Sequence, residues 1–440
     1  MDIILIRALQ LMLCLTILVT LHELGHFVFA RLFKVRVEKF RLFFDPWFAL
    51  IHGKPKGSDT DWGIGWLPLG GYVKIAGMID ESMDTEQMLK PAEPWEFRSK
   101  PAWQRLLIMI GGVLVNFITA FVIYSMILLT WGEKYVPLDQ VSMGMSFNQS
   151  AISIGFHDGD VLLRADDQKL IKYDSESLRA IVNAQKVYVL RDGQEVAVNI
   201  PKDWMLTLME DKQPFADYRY PCKVDSVMPG SLAESIGMKK GAEVVGFGGH
   251  DVAAYADLRK LLAVADSTGT TTIAFMQDGE RHEADVQLAK PFMLGIYRVP
   301  ATDYLPVDSQ RYNVLNCWGA GIDMGWNTLK GYVSDLRYLF TEKGAKSVGG
   351  FGTIAKIFPP TWDWFLFWKM TAFISIILGF MNILPIPALD GGHVLFLLYE
   401  MITRRKPSDK FMEWATMAGI FLLFALMIYA NLNDIIKAFF

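Results

Sequence analysis

The 440-residue chain has few cysteines and almost no net charge. Its three cysteines, Cys14, Cys222 and Cys317, lie in separate segments, which excludes a CxxC metal site and a disulfide framework and leaves redox chemistry without a basis. A formal charge of −4, with no basic stripe carrying interleaved aromatics, sets nucleic-acid binding aside. Polarity is scarce as well. Hydrophobic residues make up 52% of the chain, with 22 Met and 29 Phe, which is too apolar for an ordinary soluble protein of this size.

Four apolar stretches, about 3–33, 103–131, 363–399 and 411–430, are each long enough to cross a hydrocarbon core of roughly 30 Å. The first is read as a retained helix and not a signal peptide, because it carries His22, Glu23 and His26 beyond a long apolar run and shows no small-residue cleavage site. Basic residues set the orientation. Arg31, Lys34, Arg36, Lys39 and Arg41 follow span one, Arg98, Lys100 and Arg105 precede span two, and "TRRKPSDK" joins spans three and four. These ends are expected in the cytoplasm, with both termini and the region from about 132 to 360 on the opposite side.

That region contains a repeat. "AISIGFHDGDVLLRADDQ" from Ala151 and "AESIGMKKGAEVVGFGGH" from Ala233 share Ala-x-Ser-Ile-Gly, a second Gly four residues on, and an apolar strand-like run. Each is followed by a short helical segment and by alternating strands with an Asp-Gly turn, which predicts two similar small domains. Farther on, "AGIDMGWNTLKGYVSDLRYLF" is helical and amphipathic but too polar to span, and suits the membrane surface.

The chemistry lies in "TLHELGHFVFAR", residues 20–31. On a helix, His22 and His26 project from one face a turn apart, the spacing by which two imidazoles hold one zinc while Glu23 lies near the metal-bound water. Ionisable groups at membrane depth usually line a cavity or serve a function. The competing reading is a hydrogen-bonded core pair beside a protonated glutamate. Catalytic zinc needs a third protein ligand, and the best candidate in the other spans is Asp390 in "MNILPIPALDGGHVLF". His393 competes, and is read as a supporting or packing residue. Pro385 and Pro387 break any helix there, which is tolerated at membrane depth only against protein or a wet cavity. Asn382 on the same segment suits a substrate backbone or a developing oxyanion, or else satisfies the broken helix.

Two resemblances follow from these motifs. "VDSVMPGSLAESIG" and the repeat around it resemble bacterial PDZ domains, which implies peptide capture at a sheet edge; a cap that binds nothing is the alternative. HELGH, "FRSKPAWQRLLIMIGGVLVNF" and "NILPIPALDGGH", in this order with the paired domains, resemble the site-2 protease family of intramembrane zinc metalloproteases, and its bacterial sigma-E-regulating type in particular. The resemblance implies that His22, His26 and Asp390 bind zinc, Glu23 is the catalytic base and Asn382 contacts substrate. Two patterns depart from the family: Gly111-Gly112 replaces Gly-Pro ahead of the retained Asn116, and Val348-Gly349-Gly350 replaces Ser-Gly-Pro.

The expected architecture is a polytopic α-helical membrane protein of about four transmembrane helices with two inserted PDZ-like α+β domains and a membrane-associated β-hairpin-like loop. Its segments are 1–33, 34–102 (a cytoplasmic or re-entrant loop containing "DWGIGWLPLGGYVKIAG"), 103–131, PDZ-like 132–212 and 213–292, an amphipathic linker 293–362, 363–399 and 411–430. By resemblance it sits in a bacterial inner membrane with the PDZ-like domains in the periplasm. Its partners would be lipid and single-span substrates, such as an anti-sigma factor or remnant signal peptides already cut outside the membrane, with peptide tails at the PDZ-like domains. A catalytically inactive PDZ-bearing scaffold is the alternative, disfavoured by the intact Glu23. A metal-ion transporter would need polar residues along several spans, and here they cluster in two.

Overall fold

A computed structural model describes residues 3–68, 70–78, 91–211, 213–264, 269–288, 294–342, 344 and 348–439. Parts of the predicted 34–102 loop (69 and 79–90) and of the 293–362 linker (293, 343 and 345–347) lie outside the described residues. The chain forms two compact units, Met1–Gly132 with Arg311–Phe440, and the insertion Glu133–Gln310.

The first unit opens with helix α1 (Ile3–Leu32), strands β1 (Val37–Arg41), β2 (Phe44–Gly53), β3 (Asp61–Leu67) and β4 (Tyr72–Ile75), and helix α2 (Ala102–Trp131). The strands form one sheet in the order β2-β3-β1-β4. The expected hairpin over 61–77 is thereby replaced by a larger sheet. β1 lies between β3, to which it runs parallel (Lys39↔Asp61), and β4, to which it runs antiparallel (Arg41↔Tyr72). Local alternation identifies β3 and β4 as strands, but a partner inserted from an earlier segment leaves no local sign.

The insertion contains β5 (Glu133–Tyr135), β6 (Met145–Phe147), α3 (Gln149–Ile152), β7 (Val161–Ala165), β8 (Gln168–Lys169), α4 (Ser175–Asn183), β9 (Lys186–Arg191), β10 (Gln194–Asn199), α5 (Trp204–Leu208) and β11 (Ala216–Tyr218). It continues through β12 (Val224–Val227), α6 (Leu232–Ser235), β13 (Glu243–Phe247), β14 (His250–Asp251), α7 (Tyr255–Val264), β15 (Gly269–Gln277), β16 (Glu280–Leu288), β17 (Ile296–Arg298) and β18 (Asp308–Gln310). The topology repeats. Sheet β10-β9-β7-β8 has the same order as β16-β15-β13-β14, and antiparallel pairs β6·β11 and β12·β17 close the two modules. Both closing strands, β11 and β17, lie beyond the boundaries at 212 and 292 that the repeat alone gave.

Local chemistry accounts for these modules. Asp192-Gly193 and Asp278-Gly279 have φ of 51°, 79°, 53° and 84°, as tight two-residue hairpins require. Asn148, Asp174 and Ser231 cap α3, α4 and α6 by accepting from Ala151, Ser177 and Glu234 N–H groups. Each module has its own apolar core, one around Phe147, Phe156 and Ile181, the other around Val244, Ile273 and Phe275.

The chain then returns to the first unit with α8 (Cys317–Leu339), α9 (Phe351–Lys356), α10 (Trp364–Ile383), α11 (Asp390–Thr403) and α12 (Asp409–Phe439). Among the described residues, four helices are long and apolar enough to cross a membrane: Ile3–Leu32, Ala102–Trp131, Trp364–Ile383 and Lys410–Lys437. The apolar stretch 363–399 is divided at the prolines, as their lack of a backbone N–H requires: Pro385 and Pro387 end α10 and Ala388 turns the chain at φ 85° before α11 begins. The expected surface helix also differs. α8 packs on α2, where Gly321 and Gly325 are buried against Ser125, Phe121 and Tyr124, so its small residues make a helix–helix seam.

Candidate metal centre

α1 and α2 come close because glycines face each other where they cross. A Cβ on Gly25 would lie 2.7 Å from the Gly111 carbonyl carbon, and one on Gly112 would lie 2.6 Å from His22 Cε1 and closer still to His26 Nε2. Gly111-Gly112 therefore makes room for the two imidazoles. Both histidines are buried, at 9% and 5% exposure, on the face of α1 that meets α2.

The polar neighbours of these rings fix their orientation. His26 Nδ1 lies 2.8 Å from the Ile108 carbonyl oxygen, which can only accept, so Nδ1 carries a proton and in the neutral ring the Nε2 lone pair points the other way. His22 Nδ1 lies 3.1 Å from the Asn116 amide, whose buried Oδ1 has no hydrogen-bond partner among the described residues. Exchanging the similarly shaped ends of that amide lets Nδ1–H donate to Oδ1 and directs the His22 Nε2 lone pair inward too.

Asp390, the first residue of α11, meets these lone pairs. Its Oδ2 lies 3.2 Å from His22 Nε2 and 3.3 Å from His26 Nε2, and the two Nε2 atoms are 3.2 Å apart. Among the described residues no hydrogen-bond donor is directed at this buried carboxylate oxygen. Three electron-rich atoms thus face one another, which is costly unless a cation lies among them. Tetrahedral zinc, about 2.0 Å from each ligand, requires ligand atoms about 3.3 Å apart, so the triangle fits zinc.

The three atoms face a cavity of about 610 Å³ that Glu23, Asn382 and His393 also line, together with β4. Asn382 Nδ2 lies 3.4 Å from His22 Nε2. Of the two candidates for a third ligand, the geometry brings Asp390, not His393, into the cluster with His22 and His26. Asn116, Gly112 and the Ile108 carbonyl went unrecognised as site residues from sequence. The one available signal was the retained Asn116 four residues after Gly112, which puts both on the same face of α2.

The sequence profile of peptidase family M50 matches residues 10–426. The chain belongs to this family. Similar relatives include "Putative zinc metalloprotease Cj1068" of Campylobacter jejuni, 27% identical over 432 residues covering 98% of this chain and 93% of the relative. "Metalloprotease MmpA" of Caulobacter vibrioides is also 27% identical, over 446 residues covering 98% of this chain and 96% of its own. As an M50 member with four apolar helices, the chain is a multi-pass membrane metallopeptidase, and zinc is its metal.

Proposed function

We propose that this M50 peptidase cleaves a peptide bond within the membrane-spanning segment of a single-span protein, with His22, His26 and Asp390 holding the zinc and Glu23 moving the proton. One observation carries the reading: three lone-pair atoms converge in a cavity that an edge strand, β4, helps to line. When bound, zinc supplies a Lewis acid that lowers the pKa of water and polarises the scissile carbonyl. Glu23 takes the proton of the attacking water on its carboxylate and returns it to the leaving amine nitrogen. Asn382, beside His22, donates to the developing oxyanion or to substrate backbone. Asn116 and the Ile108 carbonyl hold the two rings in the tautomer that keeps both Nε2 atoms available.

A transmembrane helix hides its peptide bonds in its own hydrogen-bond ladder, so substrate must unwind locally and satisfy its freed backbone elsewhere. The outer edge of β4 offers that pairing. The duplicated modules of the insertion are PDZ-like domains, which dock substrate tails or exclude substrates whose outer domain is still attached. The basic flanks of the spans support an extracytoplasmic position for these modules, and the resemblance to the bacterial type of the family supports the periplasm and the inner membrane of a bacterium. Its substrates are of the anti-sigma-factor or remnant-signal-peptide kind.

The test is cleavage of a tagged single-span substrate by the detergent-solubilised chain, wild type beside Glu23→Gln, with zinc measured on both. Wild type should cut, and the variant should hold zinc without cutting. If both hold zinc and neither cuts any of several helix-destabilised substrates, the scaffold reading replaces this one.

A further inference from the structure

The sheet beside the cavity contains a charged cluster that the chemistry above leaves unused. Arg41, with a side chain only 3% exposed, donates from Nε to Asp45 Oδ2 at 2.8 Å and from Nη2 to Asp61 Oδ2 at 2.6 Å. Its Nη1 also donates to the Asp61 carbonyl oxygen at 2.6 Å. The other oxygen of Asp45 accepts from the Tyr72 hydroxyl at 2.7 Å. Arg41 and Tyr72 are themselves paired partners across β1 and β4, so Arg41, Asp45 and Tyr72 form a closed circuit. The Tyr72 ring lies parallel to Phe44, 6.1 Å between centroids and 13° between planes.

Stability alone is a weak rationale for this cluster. A buried ion pair does little better than apolar side chains of the same volume, whereas it restricts geometry more tightly. The backbone at the start of β2, which carries Asp45, is also strained: Phe43 has a φ of 97° and Trp47 of 72°, a region bulky side chains avoid and keep only where surrounding contacts enforce it. Burial pushes the Asp45 carboxyl up, but the Tyr72 hydroxyl and the Arg41 guanidinium outweigh it and hold the group below the usual carboxylate range. Asp61 is lowered too, chiefly by its hydrogen bond from Arg41. Both carboxylates therefore stay charged and tightly held. The element they restrain is β4, whose Tyr72, Val73 and Ile75 line the same cavity as His22, Glu23 and Asp390.

We infer that the Arg41–Asp45–Tyr72 circuit is a brace that fixes β4 relative to His22 and Glu23, and thereby determines which bond of an added substrate strand is cut. Asp45 is the positioning residue, since it touches no reacting atom and acts through Tyr72. The inference rests on the strand-addition reading proposed above.

Two variants of the zinc-loaded chain test it, Tyr72→Phe, which removes one hydroxyl and keeps the ring, and Asp45→Asn. Without substrate, amide exchange over residues 72–75 should speed up about tenfold in both variants while α1 exchanges as in wild type. With a tagged single-span substrate, mass spectrometry of the products should show cleavage spreading from one bond to its neighbours, and KM should rise about fivefold at unchanged zinc content. A merely structural role would lower the amount of active enzyme without moving the cut. If both variants exchange and cut as wild type does, the brace is overturned and the protease reading stands. If wild type cuts no single-span substrate, that reading falls together with the cleavage-register claim, and the exchange result alone decides whether Asp45 and Tyr72 restrain β4.

Discussion

The metal-centre unit and the insertion follow opposite rules for what they bury. The two modules of the insertion bury aromatic and aliphatic side chains such as Phe156 and Phe275, and among the described residues most of their charges lie at the surface. At the crossing of α1 and α2 the buried groups are two histidines, an asparagine and glycines, with a carboxylate from α11 beside them. The modules are arranged for stability, the crossing for a ligand. Removing a side chain from a module should therefore cost folding energy without affecting the metal, and removing one at the crossing should do the reverse.

The largest effect is expected at the crossing. Asp390→Ala should leave zinc below measurable occupancy and lower cleavage by on the order of a thousandfold or more, with the helices still formed by circular dichroism. If that variant retained full zinc, the contrast would collapse. Phe156→Ala should cost the first module about 3–5 kcal/mol, read by hydrogen exchange within residues 133–310, while zinc content stays at the wild-type level. Gly112→Ala sharpens the contrast, because its methyl group would press on both imidazoles. A destabilisation of about 1–3 kcal/mol, with zinc affinity weakened at the same time, is expected from thermal unfolding and metal titration.

The smallest effect belongs to an ion pair joining the two modules. Lys260 Nζ reaches Asp158 Oδ2 at 2.7 Å with both side chains partly exposed, so Lys260→Ala should cost about 0.5–1 kcal/mol. Burial pushes the Asp158 carboxyl up, but Lys260, the Phe147 amide and Ser146 together hold it below its usual value. The contribution is then complete above about pH 4 and is lost as the pH falls through the native value. Comparing exchange of wild type and variant in this unit at neutral and acidic pH should show the difference shrinking with acid.

The periodic features of this chain were legible from sequence. Four apolar runs read directly, and His22 and His26 at a spacing of four share a helix face whatever surrounds them. The Asp-Gly turns and the repeated Ala-x-Ser-Ile-Gly showed that two alike modules were present, but their closing strands β11 and β17 return from farther along the chain and left no repeat to find. Features that depend on a distant partner stayed hidden. The parallel pairing of β1 with β3 spans a strand and a loop, and the fit of Gly112 to the histidine rings exists only once α1 and α2 cross. Gly321 and Gly325 were visible as residues, yet amphipathicity pointed α8 toward a membrane surface because its apolar and small faces look alike until α2 is beside them. Asp390 was found because so few ionisable residues occur in apolar spans. Asn116 was overlooked because an amide there can equally well be a satisfied core group.

Zinc K-edge X-ray absorption on the metal-loaded chain, wild type beside Asp390→Ala, tests the central claim most directly. The account predicts two imidazoles and carboxylate oxygen around the metal in wild type, and loss of that shell in the variant. A shell of three imidazoles, or one unchanged by removing the Asp390 carboxylate, would contradict it and point to His393 as the third ligand.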